Sequence, residues 1–176
     1  LARLKPETKN SLNAIPEGEE FDLGGIDVSC FRTMHDAVYS VGYRFEGEQT
    51  AAFATDVGCI NDTLIGGLEG ADLALIEANH DLAMLRNGRY PYFLKQRILA
   101  PTGHLSNDDS GKLALHLAKS GTSNIILGHL SRDNNTPELA LGTVRAAVSG
   151  ENTEISVASP NNLLAVEAHE RLKCLV

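Results

Sequence analysis

The feature that most restricts the fold is the stretch AAFATDVG, residues 51–58. Its first four residues are apolar and typical of a buried strand, which ends abruptly at Thr55-Asp56 ahead of Gly58. A buried strand that delivers a carboxylate at its exit is a frequent location for chemistry in α/β proteins. A lone Asp in this position is more often a helix or turn cap. The interpretation of Asp56 therefore depends on what the other strand ends carry.

The remaining pattern changes from β-rich to alternating strands and helices. Residues 21–45 alternate in a way that predicts an antiparallel meander. Beyond Gly58 the pattern predicts, in order, a helix at 61–68, a strand at 71–78, two helices within 81–97 broken at Gly88 and Pro91, a helix at 107–119, a strand at 124–127, a helix from Thr136 to Gly150 and a strand at 154–158. The predicted class is α/β, a mixed sheet with helices packed on it. Residues 1–20 are expected to be irregular or partly helical, and the tail beyond Pro160 to be peripheral.

Two of these helices carry clear boundary signals. Ser106 can cap the 107–119 helix, and Gly121 follows its end. The later helix has Thr136 as its N-cap and Pro137 at its first position. Both helices are therefore predicted with defined starts.

Composition limits the classes of function. The 176 residues are 43% hydrophobic, which is enough for one domain with a real core. The net charge of −8 and the pI near 5.2 argue against an exposed basic platform for nucleic acid. A nucleic-acid substrate stays possible, because bound divalent cations can reverse the field in an acidic cleft.

The cysteines and hydropathy predict a cytoplasmic protein that does not enter a membrane. Cys30, Cys59 and Cys174 form no CxxC pair and no even set, which is typical of a reducing compartment. No apolar run approaches the length of a membrane span.

Histidines stand where the predicted elements end. His35 lies between two strands, His80 and His129 follow strands, and His104 precedes a helix. Any one of them alone is better explained as a structural histidine. Together with Asp56 they predict a metal site, because imidazole and carboxylate form the usual ligand set for zinc or manganese.

The ordered motifs MHDA, TDVG, EANHD, GHLSN and GHLS resemble the metallo-β-lactamase superfamily, over nearly the whole chain. Within it the chain is most similar to the YycJ/WalJ branch of metal-dependent hydrolases, which is related to nucleases such as ribonuclease Z. The resemblance implies an αββα sandwich with two divalent ions, zinc or manganese, at the strand ends.

The resemblance also implies roles for individual residues. His35 matches a ligand of the first metal, Asp56 the carboxylate that bridges both ions, and His129 a ligand of the second metal. His104 matches the nuclease histidine that protonates the leaving oxygen. Three further residues match positions that support the ligands or contact the substrate: Glu77, His80 and Ser106.

One part of the family pattern is absent. The signature HxHxDH, which supplies most of the remaining ligands, does not occur in this sequence. The resemblance implies that it belongs upstream of Leu1. We therefore expect residues 1–176 to be the C-terminal portion of a single metallo-β-lactamase-fold domain. The missing N-terminal half is then its main partner, and self-association through the uncovered face is a further expectation.

Three functions stay open at this level. The favoured one is a phosphodiesterase or exonuclease-type nuclease that uses a dinuclear metal-activated water on a nucleic-acid or other phosphodiester substrate. The second is a metallohydrolase of a small ester, thioester or lactone. The third is a catalytically incomplete fragment or interaction module. The full-length parent is expected to be the active enzyme, with weak or partial metal binding by this chain alone.

Overall fold

In the computed structural model, which describes residues 18–158, seven strands form one mixed sheet in chain order. The strands are β1 (Glu20–Asp22), β2 (Asp27–Arg32), β3 (Val41–Glu46), β4 (Thr50–Ala54), β5 (Leu73–Glu77), β6 (Asn124–Gly128) and β7 (Glu154–Val157). Pairing is antiparallel from β1 to β4 and parallel from β4 to β7. The predicted α/β class and the predicted meander are confirmed. The expectations for the tail beyond Pro160, for Cys174 and for nearly all of residues 1–20 lie outside the described residues.

Five helices connect the parallel strands within this part of the chain. They are α1 (Asp62–Leu68), α2 (Leu82–Asn87), α3 (Tyr92–Leu99), α4 (Asn107–Lys119) and α5 (Pro137–Ala147). Ser106 caps α4 by accepting a hydrogen bond from the Asp109 amide, as its position predicts. Thr136 does the same for α5 with the Leu139 amide, and Pro137 occupies the first turn. The two helices predicted between residues 81 and 97 are α2 and α3, separated at Gly88 and Pro91 as expected.

The core lies between one face of the sheet and helices α1, α4 and α5. Because parallel strands are added in one direction from β4 to β7, right-handed crossovers put their helices on the same face. In-register strand residues form one side of this core: Ala52, Ala74, Ile125 and Ile155. Helical side chains form the other: Leu64, Leu68, Leu113, Leu117, Ala140 and Val144.

The opposite face of the sheet is more open. Phe53, Leu75 and Ile126 occupy neighbouring positions on β4, β5 and β6. Phe53 is 37% exposed, and the other two are half-buried. This row is apolar and only partly covered, in contrast to the fully buried row on the helical side.

Within residues 18–158, no helix combines the length and the apolar character that crossing a membrane requires. Cys30 and Cys59 are both free thiols and half-buried.

Candidate metal centre

The candidate site lies at the carboxyl edge of the parallel strands. Asp56 follows β4, Glu77 ends β5 and His129 follows β6. Because parallel strands end on the same edge of a sheet, residues distant in sequence are neighbours here. His35 reaches this edge from the loop between β2 and β3, and His104 from the loop that precedes α4.

Three histidines surround a single oxygen of Asp56. Asp56 Oδ1 lies 3.5 Å from His35 Nε2, 3.8 Å from His129 Nε2 and 4.0 Å from His104 Nδ1. The ring centroid of His104 is 4.9 Å from that of His35 and 5.3 Å from that of His129. The structure therefore brings the predicted ligands His35, Asp56 and His129 together. The predicted proton donor, His104, lies close to all three.

The backbone takes an uncommon conformation at two of these residues. Asp56 and His129, with φ of 55° and 57°, are the non-glycine residues of positive φ in the described part of the chain. Such conformations carry strain and concentrate at functional sites. At His129 the side chain of Asn79 donates to the backbone carbonyl at 2.9 Å, and the Ser131 amide donates to the Asn79 carbonyl at 2.8 Å. These two bonds hold the turn that presents His129.

Glu77 is fully buried and serves two histidines at once. Its Oε1 accepts from His104 Nδ1 at 2.6 Å and from His129 Nδ1 at 3.0 Å, and its Oε2 accepts from the Val57 amide at 2.6 Å. An ionised carboxylate only accepts hydrogen bonds, so both Nδ1 atoms carry hydrogen. Each Nε2 is then left to bind a metal ion when the imidazole is neutral, or to carry a second, transferable proton when it is imidazolium.

The hydrogen bonds at Glu77 also decide its charge. Burial alone would raise the pKa of the Glu77 carboxyl, but the hydrogen bonds from His104 and His129 hold that pKa below its ordinary value. The same contact with Glu77 raises the pKa of His129. Glu77 is therefore an anion that orients the His104 and His129 rings through their Nδ1 atoms.

His35 is oriented by a backbone carbonyl instead. Its Nδ1 donates to the carbonyl of Gly103 at 2.9 Å, which leaves Nε2 directed at Asp56. Close loop packing makes this contact possible. A Cβ at Gly103 would lie 2.1 Å from the Ile98 carbonyl oxygen, and one at Gly58 would lie 2.4 Å from the Pro101 carbonyl oxygen. No larger residue fits at either glycine without movement of the backbone.

A cleft of about 450 Å³ opens beside the histidines. Its lining includes His35, His104 and His129. Tyr90, Leu94 and Arg97 join them from α3 and the turn before it, and Arg132 from the loop after β6. Arg97 forms an ion pair with Asp36 across this cleft, and it lowers the pKa of the Asp36 carboxyl. Tyr90 donates its hydroxyl to Asp133 at 2.9 Å.

His80 and Ser106 lie behind the cluster rather than in the cleft. His80 is 1% exposed, and neither ring nitrogen has a hydrogen-bond partner among the described residues. Burial lowers the pKa of His80. Ser106 is 3% exposed, and its hydroxyl is engaged in capping α4. Both residues support the fold around the site in the geometry observed here.

The donor set fits divalent metal ions. His35, Asp56 and His104 each offer a ligand atom, with all three atoms within 4.8 Å of one another. Glu77, His104 and His129 form a second such group. Glu77 has both oxygens occupied by hydrogen bonds, so we exclude it as a ligand and assign it the supporting position that ligating histidines require. Asp56 and the Nε2 atoms of His35 and His129 are the groups that can hold ions such as zinc or manganese.

Sequence reasoning missed several supporting residues. Asn135 donates to the Ala78 carbonyl at 2.8 Å and exchanges hydrogen bonds with Asn107 at 2.8 and 3.0 Å in the buried region behind the site. Asn79, which holds the His129 turn, lies inside the motif EANHD. That motif was the available signal. Asn107 likewise lies inside the motif GHLSN. Asn135 lies in no such motif, and its partners are far away in sequence.

Comparisons with known proteins agree with this geometry. The family model described as "Beta-lactamase superfamily domain" matches residues 1–130. The chain is 44% identical to Exodeoxyribonuclease WalJ of Streptococcus pneumoniae over 124 residues, covering 70% of this chain and 46% of that relative. It is 37% identical to Exodeoxyribonuclease YycJ of Bacillus anthracis over 150 residues, covering 81% of this chain and 57% of that relative. The chain thus spans about half the length of the curated relatives it matches.

A solved structure supports the fold. The metallo-beta-lactamase fold protein YhfI from Bacillus subtilis superposes with a TM-score of 0.63 at 19% identity, covering 83% of this chain and 52% of that one. At this identity the likeness concerns the fold alone. The family model and the identity to the two exodeoxyribonucleases carry the assignment further, and on that evidence the chain belongs to the metallo-β-lactamase superfamily.

Proposed function

We propose that this chain supplies half of the active site of a metal-dependent exonuclease that hydrolyses phosphodiester bonds in nucleic acid. The observation that carries the proposal is the group of His35, His104 and His129 around Asp56 Oδ1, at 3.5 to 4.0 Å. The names of the two bacterial relatives support a nucleic-acid substrate. Such a substrate also accords with a cytoplasmic location.

His35, Asp56 and His129 are the proposed ligands of two divalent ions, zinc or manganese. Asp56 suits a position between two cations because it offers two oxygens and a negative charge. His35 and His129 set the coordination without adding charge, since their Nδ1 atoms already donate to Gly103 and Glu77. Ions held by these residues would supply an activated water and would stabilise the charge that develops on the phosphodiester.

His104 is the proposed general acid. Its Nδ1 is fixed by Glu77 at 2.6 Å, and its ring lines the cleft. A fixed imidazole at the edge of a cleft can hand a proton to the leaving oxygen of a phosphodiester. Glu77 acts through His104 and His129 and is a positioning residue.

The remaining ligands are proposed to come from another part of the same domain. Residues 1–176 would then form its C-terminal portion. The partly exposed row of Phe53, Leu75 and Ile126 offers an apolar surface on which the rest of the domain can pack. In the absence of that layer, the same surface would favour self-association.

The proposal is tested with the complete encoded protein. Labelled DNA and RNA should be shortened from an end when zinc or manganese is present, and hydrolysis should stop on chelation and return when metal is added back. The acidic charge of the chain keeps a small ester, thioester or lactone as the second candidate substrate class. Metal-dependent turnover of such an ester without any degradation of nucleic acid would reject the nuclease in favour of that alternative.

A further inference from the structure

Helix α3 exposes aromatic side chains beside the cleft. None of its eight residues is buried, although five of them are large and apolar: Tyr92, Phe93, Leu94, Ile98 and Leu99. Tyr92 is 77% exposed and Phe93 is 73% exposed. Aromatic rings left in water on a short helix provide a surface that can bind a flat apolar group.

The same segment is basic in an otherwise acidic chain. Residues 82–107 contain no Asp or Glu, although the whole chain has a net charge of −8. This run carries four cationic side chains: Arg86, Arg89, Lys95 and Arg97. The net charge of −8 argued against a basic platform in the sequence analysis. Net charge averages over the molecule, however, and therefore conceals this local excess of cations.

The aromatic side chains adjoin the proposed reaction centre. Phe93 stands four residues before Arg97, one turn along the same side of α3. Arg97 lines the cleft together with His104 and His129. The two carboxylates that line this cleft beyond the cluster are already engaged, Asp36 with Arg97 and Asp133 with Tyr90. A polyanion that leaves the centre along α3 would thus meet cations and exposed rings.

We propose that Tyr92 and Phe93 form a stacking platform for unpaired bases, so that the substrate is a nucleic-acid end with a single-stranded extension. This inference rests on the proposed nuclease function and specifies its substrate. Arg89 and Arg97 hold the phosphates of the extension, and the rings stack on its bases. Arg97 contacts Asp36 through Nε, which leaves its terminal guanidinium nitrogens for phosphate. Aromatic rings beside a basic groove are the usual means of binding single strands without reading their sequence. A purely apolar partner would have no use for the four cations.

The test measures DNA binding by the complete encoded protein after chelation of metal, so that DNA is bound without being cut. Fluorescence anisotropy compares a duplex bearing a single-stranded extension of about four nucleotides, the same duplex with an abasic extension, and a blunt duplex. The variants are the double substitution Tyr92→Ala with Phe93→Ala, and the single substitutions Phe93→Trp and Phe93→Leu. Melting temperatures show whether each variant is folded.

The wild-type protein should bind the base-containing extension more tightly than the abasic one. Each ring removed should weaken binding of the base-containing extension by roughly 10-fold, with little change for the abasic or blunt DNA. Phe93→Trp should retain affinity, whereas Phe93→Leu should lose it because Leu fills space without stacking.

Two results would overturn the platform. One is equal wild-type affinity for base-containing and abasic extensions. The other is full affinity in Phe93→Leu together with a lower melting temperature in the double variant, which would mean that another part of the protein covers the rings. Metal is then restored and hydrolysis is measured. Absence of hydrolysis by the wild type rejects the nuclease function. A rate of hydrolysis that is the same in the wild type and in the ring variants rejects only the platform.

Discussion

At the scale of single residues, two histidines share a sequence context and a buried partner but have different proposed roles. His104 and His129 each lie in Gly-His-Leu-Ser, and each donates Nδ1 to Glu77 Oε1. They differ in backbone, because His129 alone of the two has positive φ. The positive-φ turn held by Asn79 presents His129, the proposed metal ligand, whereas His104, the proposed general acid, lies in the loop before α4.

Substitution of these two residues should therefore separate metal binding from catalysis. In the complete protein, His129→Ala should lower metal content and abolish activity together. His104→Ala should leave metal content nearly unchanged and slow turnover by roughly 10²–10⁴-fold, the range for loss of a general acid. That loss should shrink with a substrate whose leaving group needs no proton. Metal analysis and single-turnover kinetics make the comparison. Loss of metal from His104→Ala to the same extent would require the ligand set to be redrawn.

His80 predicts a pH dependence of stability. Burial lowers the pKa of this imidazole in the folded state, while the unfolded chain titrates near about 6.5. As the pH falls through that window, the unfolded state takes up a proton that the folded state refuses, so the free energy of unfolding decreases. His80→Leu removes this proton uptake and two unpartnered nitrogens. The variant should gain stability relative to wild type as the pH falls below about 6.5. Denaturation curves at each pH measure the free energy of unfolding of both proteins. A difference between wild type and His80→Leu that stays constant across this pH range would contradict the assignment.

At the scale of secondary structure, Ser106 makes a testable structural contribution. Its hydroxyl accepts from the Asp109 amide at 3.1 Å and donates to the Asp109 carboxylate at 2.9 Å. Ser106→Ala should destabilise the complete protein by about 1 kcal/mol through loss of the cap. Ser106→Thr, which keeps the hydroxyl, is the matched control. Unfolding curves measure the effect, and metal content should not change. A loss of metal in Ser106→Ala without loss of stability would place Ser106 in the site instead.

Local signals explain which elements could be predicted from sequence. The caps Ser106 and Thr136, and the break at Gly88 and Pro91, act on their immediate neighbours, so helix starts and interruptions follow from a few residues. The Asp at the exit of β4 was also visible. The shared contact of Glu77 with two histidines was not visible, because His104 is 27 positions and His129 is 52 positions away from Glu77 in the sequence. The family resemblance implied a supporting role for Glu77, but only the folded structure shows which atoms it contacts.

At the scale of the whole molecule, the proposal assigns this chain only part of a two-metal site. Among residues 18–158, Asp56 and the histidines around it offer too few donors for two ions with full coordination. Chain 1–176 alone should therefore bind divalent metal weakly, and it should self-associate through the row that includes Phe53 and Leu75. Calorimetry and sedimentation of this chain measure both properties. Binding of two ions with micromolar or tighter affinity would contradict the incomplete-site account.

The central claim is that Asp56 holds metal between the histidines, and metal content per molecule tests it most directly. The complete encoded protein is loaded with manganese or zinc, freed of excess metal, and compared with Asp56→Ala. Asp62→Ala is the matched control, since Asp62 is an exposed carboxylate in the first turn of α1. We predict about two ions per molecule in the wild type and in Asp62→Ala, and a marked loss in Asp56→Ala. Full metal content in a folded Asp56→Ala variant would contradict the account.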